Sequence, residues 1–359
     1  MTAPAASGVR IAFDAMGGDH GAAEIVPGVL AFARTHPEDA LILVGDRPTL
    51  ERLARSLPAN VRIVHAGSVV AMDEHPAQAL REKKDSSIVV ATDLVKDGEA
   101  DAVVTAGHTG AGMAAAILRL GRVRGVERPG LAVQMVTDAG PMVLLDIGAN
   151  PDSTPEHLAQ YARMGAIYAE RVLGVADPRV ALLSIGEEKG KGDARIQRAT
   201  ELLDRSTLRF VGNVEGRDLT RHMADVIVTD AVAGNVVIKF FEGLSAFIFE
   251  LWRAEFRRSL RGRLAYLLLR PGVARIRGVF DYETHGGSPL LGVNGTVIIT
   301  HGSARRRMIE FACEVAARMA RARVPELIAE ALAEDRIRLA AGETGPSATA
   351  DPTTEPVAT

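Results

Sequence analysis

At 359 residues with a formal net charge of -3, the chain has no global basic field, which excludes a nucleic-acid binder held by bulk electrostatics. Its 47% hydrophobic content is that of a soluble globular protein, with length for one large α/β domain or two smaller ones. The single cysteine, Cys313, excludes an internal disulfide and suits a reducing compartment.

Residues 1–8 are small and uncharged and read as a flexible leader, with no signal peptide. Beyond them, short apolar runs alternate with helical patterns. Runs at 9–13, 40–44, 61–64, 102–105, 131–136, 142–145, 179–184, 208–211, 225–228 and 296–299 predict strands. The expected fold class is a layered, largely parallel α/β sheet occupying 9–340 as one catalytic domain. The longest uncharged stretch, 102–118, holds three glycines, two threonines and His108, so it reads as strand, loop and helix rather than a membrane span. The Pro-, Thr- and Ala-rich segment 341–359 reads as a disordered tail.

Small and polar loops follow most of these runs, at 14–20, 106–110, 146–150, 186–192, 212–217, 230–235 and 301–303. Ligands of open α/β sheets bind outside the carboxyl ends of strands, so the loops are expected to share one crevice along one rim. In the central stretch Thr229-Asp230-Ala231-Val232-Ala233-Gly234-Asn235, Gly234 is expected to make the turn and Asn235 to cap the following helix. That helix start attracts anions, with Lys239 one turn further on. Lys83-Lys84 before Ser86-Ser87 offers a second cationic helix start, with either serine as cap. Both stretches also fit ordinary capped turns.

No serine sits in a Gly-x-Ser-x-Gly elbow, and Cys313 falls in an amphipathic helix, so covalent catalysis is disfavoured. No closely spaced His or Cys pair suggests a metal, and 186–192 lacks the Lys-Ser/Thr ending of a Walker loop. Backbone amides, side-chain amides, hydroxyls and a few cations remain. Such groups position an anionic nucleophile and relieve its charge.

Asp14-Ala15-Met16-Gly17-Gly18-Asp19-His20, Lys83-Lys84-Asp85-Ser86-Ser87, Gly148-Ala149-Asn150, Gly212-Asn213-Val214-Glu215-Gly216-Arg217, Gly234-Asn235-Val236 and His301-Gly302-Ser303 together resemble the motifs of bacterial phosphate acyltransferases, the PlsX family. The resemblance covers about residues 9–322 in order. It implies transfer of a long fatty acyl group from acyl carrier protein to inorganic phosphate, giving acyl phosphate for a glycerol-3-phosphate acyltransferase. It further implies a fold of the phosphotransacetylase and isocitrate dehydrogenase-like type, a homodimer, peripheral attachment to the inner face of the cell membrane, and no metal or organic cofactor. Carried over residue by residue, Asn150, Asp230, Asn235 and Lys239 become catalytic candidates. Asp14, Gly17, Gly18, Lys83, Lys84, Asn213, His301 and Ser303 become candidates for holding substrate, and Lys84→Ala is expected to raise the phosphate requirement. His108, Ala231, Ala233 and Pro289 depart from the family pattern.

Residues 244–280 read as a projecting helical hairpin, joined near Gly262 and stopped by Pro271. Leu244, Phe247, Ile248, Leu251 and Trp252 form one apolar face, suited to the equivalent hairpin of a second copy. Leu264, Tyr266, Leu267 and Leu268, flanked by arginines, match an interfacial membrane segment. The same arginines also suit an acidic carrier protein. Alternative readings are a phosphate acetyltransferase-like enzyme using acyl-coenzyme A and a non-catalytic lipid-synthesis scaffold.

Overall fold

Runs of Val, Ile and Leu flanked by glycine and aspartate become strands because both faces of each are covered. The computed structural model describes residues 8–137, 139–279 and 286–341, so all but one residue of the expected leader and of the expected tail lies outside the described residues. It contains β1 (Arg10–Asp14), β2 (Ala40–Gly45), β3 (Val61–His65), β4 (Ala102–Thr105), β5 (Gly130–Val136), β6 (Pro141–Leu145), β7 (Arg179–Leu183), β8 (Arg209–Val214), β9 (Val226–Val228), β10 (Ser288–Leu291) and β11 (Thr296–Ile299). They form one 11-stranded sheet in the order β3-β2-β1-β4-β11-β10-β5-β6-β9-β7-β8.

Helices α1 (Ala22–Thr35), α2 (Arg47–Leu53), α3 (Pro76–Glu82), α4 (Ser87–Lys96), α5 (Thr109–Ala115), α6 (Pro155–Val172), α7 (Ala194–Asp204), α8 (Ala231–Arg257), α9 (Leu260–Val279), α10 (Arg306–Arg321) and α11 (Val324–Ala340) cover its faces. One apolar cluster runs under α1, α6, α7 and α10 from Val9 to Leu332, and a second fills the opposite face between the sheet and α4. Each large side chain buried there contributes roughly 1.5–3 kcal/mol. Helices α1 and α10 touch closely because Gly28 has no side chain: a Cβ there would stand 2.7 Å from Ile309 Cβ.

All ten expected strands are present, but two expectations about their arrangement are overturned. Strand β10, in a Gly- and Pro-rich segment, was not expected, and it pairs antiparallel with both β11 and β5. Strands β5 and β6 are also antiparallel, whereas β1–β4 with β11 form one parallel group and β6–β9 another. The two parallel groups therefore run in opposite senses. Their carboxyl tips lie on opposite edges of the ladder, not on one rim.

The hairpin is real but built differently. Its helices meet at Arg258–Ser259, and α9 continues through Pro271 at the cost of a ladder hydrogen bond. Val237, Ile238 and Phe241 anchor the start of α8 to the sheet, and Phe247, Leu251, Leu264, Leu267 and Leu268 further out are exposed.

Candidate active site

The carboxyl tips of β1, β4 and β11 interlock. Gly18 adopts φ 84 in a place where a Cβ would meet the carbonyls of Ala106 and Gly302, and the Asp19 amide donates to Gly302 O at 2.8 Å. Gly17 lies equally close to Gly107 and to the Asp14 carboxylate. Asp14 is buried and accepts from Thr105 Oγ1 at 2.7 Å. Burial pushes this carboxyl up, and the neighbouring Ser87 and Thr105 hydroxyls oppose the shift only in part. The Ser86 and Ser87 hydroxyls are buried without a well-formed hydrogen bond; Ser86 occupies the cap position of α4 but makes no side-chain cap bond. His301 Nδ1 and Ser303 Oγ stand 2.7 Å apart in the same group of loops.

The two lysines expected to serve phosphate part ways. Lys83 Nζ donates to Glu74 Oε2 at 2.6 Å and to Val69 O at 2.8 Å, so its charge is already neutralised. Lys84 is exposed and has no partner among the described residues. His108 is a helix cap, its Nδ1 accepting from the Gly110 amide at 3.0 Å.

The second group gathers at the carboxyl tips of β6, β7, β8 and β9. Asp230, not Asn235, caps α8: its Oδ1 accepts from the Val232 and Ala233 amides at 2.9 and 3.0 Å. Gly234 is therefore inside the helix and makes no turn. What it permits is contact, because a Cβ there would stand 2.0 Å from Asp146 O. Asn235 and Lys239 lie one turn apart on an exposed face, and Lys239 approaches Glu242 at 3.6 Å.

Asn150 is not available as an oxyanion donor. Its Nδ2 donates to Pro129 O at 2.6 Å, to Tyr161 Oη at 2.7 Å and to Asp146 Oδ2 at 3.2 Å, which exhausts a two-hydrogen group. Two residues missed in the sequence enter here. Arg195 Nη2 donates to Asp193 at 3.0 Å and to Asp230 at 3.1 Å, joining the caps of α7 and α8. Ser184 ends the apolar run of β7, and its Oγ, like Asn213 Oδ1, is buried without a partner. A polar last residue of an apolar run, and an arginine just past an Asp cap, were the available signals.

No hydrogen bond among the described residues joins the two groups. Neither holds a nucleophilic cysteine, since Cys313 lies fully buried on the inner face of α10, where burial first and then Glu314 and Glu310 push its thiol well up.

The model of the family described as "Fatty acid synthesis protein" matches residues 9–327. A phosphate acyltransferase of Desulfitobacterium hafniense is 50% identical over 311 residues, covering 86% of this chain and 93% of that protein. A phosphate acyltransferase of Pelotomaculum thermopropionicum is 44% identical over 336 residues, covering 93% and 98%. The chain belongs to the phosphate acyltransferase family. As a member it is an acyltransferase of fatty acid and phospholipid synthesis, which removes the scaffold alternative. In fold, this phosphate acyltransferase family member is similar to a Streptococcus pyogenes phosphotransacetylase, with TM-score 0.61, 18% identity and coverage of 87% and 94%. It is also similar to the EutD phosphotransacetylase of Staphylococcus aureus, with TM-score 0.57, 16% identity and coverage of 88% and 95%.

Proposed function

We propose that the enzyme transfers a long-chain fatty acyl group from the thioester of acyl carrier protein to inorganic phosphate, without a metal or organic cofactor. A phosphate oxygen attacks the thioester carbon, the tetrahedral oxyanion collapses, and the C–S bond breaks as the carrier thiol leaves with a proton. Asn235, whose amide is uncommitted among the described residues, stabilises the oxyanion in place of Asn150, with Lys239 supplying charge. Asp230 fixes the start of the helix that carries both.

The observation that carries this reading is the family match over 9–327, in a chain whose exposed hairpin suits a long-chain product. Leu264 and Leu268 are 62% and 76% exposed, beside Leu260 and Leu267 on one helical face and among arginines. This segment docks peripherally on the inner face of the membrane, delivering acyl phosphate to the glycerol-3-phosphate acyltransferase. Helix α8, long and apolar enough to span a bilayer by length and composition, instead offers its exposed stripe of Phe247 and Leu251 to a second copy. Replacing Leu267 and Leu268 with glutamate is expected to reduce flotation with anionic liposomes at least fivefold while leaving turnover of soluble substrate intact. Undiminished flotation rejects the membrane assignment.

The decisive assay mixes purified protein, phosphate and either palmitoyl-carrier protein or palmitoyl-coenzyme A and quantifies acyl phosphate. Higher kcat/KM with the carrier supports the proposal, and preference for the coenzyme A thioester moves it to the acetyltransferase-like alternative favoured by the fold. The His301–Ser303 pair favours a second route through an acyl-serine. Direct attack requires that donor added without phosphate leave no acyl group on the protein.

A further inference from the structure

The segment 185–192 passes over two polar atoms that the proposed chemistry leaves unused. A register shift between Val180 and Leu182, with Gly212 at φ 99 in the partner strand, sets Asn213 opposite Leu182. Leu182 packs in the same apolar cluster as Ile196 of α7, so Asn213 faces that helix. Asn213 is 8% exposed, and its Oδ1 has no partner. Ser184 Oγ, likewise unpartnered, sits directly beneath Gly192, where a Cβ would come within 2.8 Å of it. Polar atoms buried in this way disfavour the closed arrangement.

What holds the segment down is slight: two solvent-exposed ion pairs, Glu187 with Arg217 at 3.5 Å and Lys189 with Asp204 at 3.3 Å, and one side-chain amide. Gln197 Nε2, on α7, donates to Gly190 O at 2.9 Å and to Gly192 O at 3.1 Å, both in exposed positions. Gly190 and Gly192 have φ 94 and 92, so only glycine is at ease at either end of this short latch. Charge is also in place. Lys191 enters no ion pair among the described residues, and Arg195 uses only Nη2 on its two aspartates, leaving Nε and Nη1 without partners there.

A hydroxyl, a lysine ammonium and unspent guanidinium donors suit a small tetrahedral oxyanion. Asn213 Oδ1 is an acceptor, and among small tetrahedral oxyanions only one that carries a proton can donate to it. Hydrogen phosphate has that P–O–H group and sulfate does not. We propose that segment 185–192 is a strap that lifts to admit inorganic phosphate and settles back over it, seating the anion on Ser184, Asn213, Lys191 and Arg195, with Asn213 selecting phosphate over sulfate. This rests on the phosphate-acceptor reading above and names the acceptor's seat.

The test combines hydrogen exchange with kinetics on the full-length enzyme. Phosphate, but not sulfate at equal ionic strength, is expected to slow exchange of amides 186–192. Ser184→Ala is expected to keep or raise Tm, because it removes a buried unpartnered hydroxyl, while raising the phosphate KM at least tenfold and leaving the acyl-donor KM unchanged. Gln197→Ala, which keeps the seat and loosens the latch, is expected to speed exchange of the strap. Wild-type protein that forms no acyl phosphate overturns the phosphate-acceptor reading itself. Turnover by the wild type with an unaltered phosphate KM in Ser184→Ala, equal protection by sulfate, or a phosphate KM effect found in Lys84→Ala instead overturns only the strap.

Discussion

Gly234→Ala is expected to lower Tm by roughly 4 °C, the equivalent of about 3 kcal/mol in a chain of this size. The added Cβ would stand 2.0 Å from Asp146 O and 3.0 Å from Ile147 Cα, and both are backbone atoms that no rotamer change can move aside. Either α8 lifts from the sheet or the 146–150 loop shifts, and each disturbs the cap at Asp230. Gly243→Ala in the same helix is the internal comparison. A Cβ at Gly243 meets nothing within 4 Å, so only the helix propensity gain of roughly 0.5–1 kcal/mol remains, and Tm is expected to rise by about 1 °C. The two substitutions are chemically identical and nine residues apart in one helix. Thermal unfolding of both decides whether close approach sets the need for glycine at 234. Equal effects would reject that explanation.

Much of this was legible in the chain itself, and the failures have particular causes. Ten strands announce themselves because a run buried on both faces is apolar and β-branched along its length. Strand β10 does not, since Gly287, Pro289 and Gly292 within and around it argue locally for a turn, and only pairing with β11 and β5 makes it a strand. That single omission concealed the reversal of strand sense and so produced the expectation of one rim. At the start of α8 the sequence reads Gly234 as a turn and Asn235 as the cap, whereas Asp230, five residues earlier, takes that role. The choice is made by Asp146, far away in sequence, whose carbonyl needs a neighbour without a side chain.

Site residues show the same limit. Lys83 and Lys84 are adjacent and chemically alike, yet only the path of the preceding loop brings Glu74 onto Lys83. Asn150 carries the expected amide but spends it on Tyr161 and Pro129, partners that no local pattern names. Motif resemblance names candidate positions without separating those that shape a loop from those expected to meet substrate. Partner bonds make that separation. They leave Asn235, Asn213 and Lys84 uncommitted, set Lys239 beside Glu242, and tie Asn150 and Lys83 to their neighbours.

Asp146→Ala is expected to have a comparably large effect for the opposite reason, loss of contacts rather than overlap. Asp146 is completely buried, and its Oδ1 accepts from the amides of Leu131 at 3.1 Å, Gly148 at 3.0 Å and Ala149 at 2.9 Å. Its Oδ2 accepts from the Asn150 amide at 2.8 Å and from Asn150 Nδ2 at 3.2 Å. Removing the carboxylate orphans four backbone donors, each worth about 1–3 kcal/mol when buried, partly offset because the cost of burying the charge also disappears. A net loss of about 3–5 kcal/mol follows, or a drop in Tm of about 4–7 °C. Asp146→Asn keeps one acceptor oxygen but turns an amide N–H toward the Asn150 donors, so it too destabilises. Burial raises the Asp146 carboxyl despite the opposing amides of Ala149, Gly148, Leu131 and Asn150, which fixes the sign of the pH dependence. The folded state binds this proton more tightly than the unfolded chain does. Its contribution is therefore fully present below the ordinary carboxylate pKa of 3.8 and is lost as pH rises through the folded value. The stability gap between wild type and Asp146→Asn should accordingly widen in favour of wild type as pH falls from 7 toward 4. A gap that narrows on acidification would mean that the amides outweigh burial and hold the carboxylate ionised. Because the Asp146 carbonyl also touches Gly234, combining Asp146→Ala with Gly234→Ala should cost less than the sum of the two, since either one alone already releases the start of α8 from its seat.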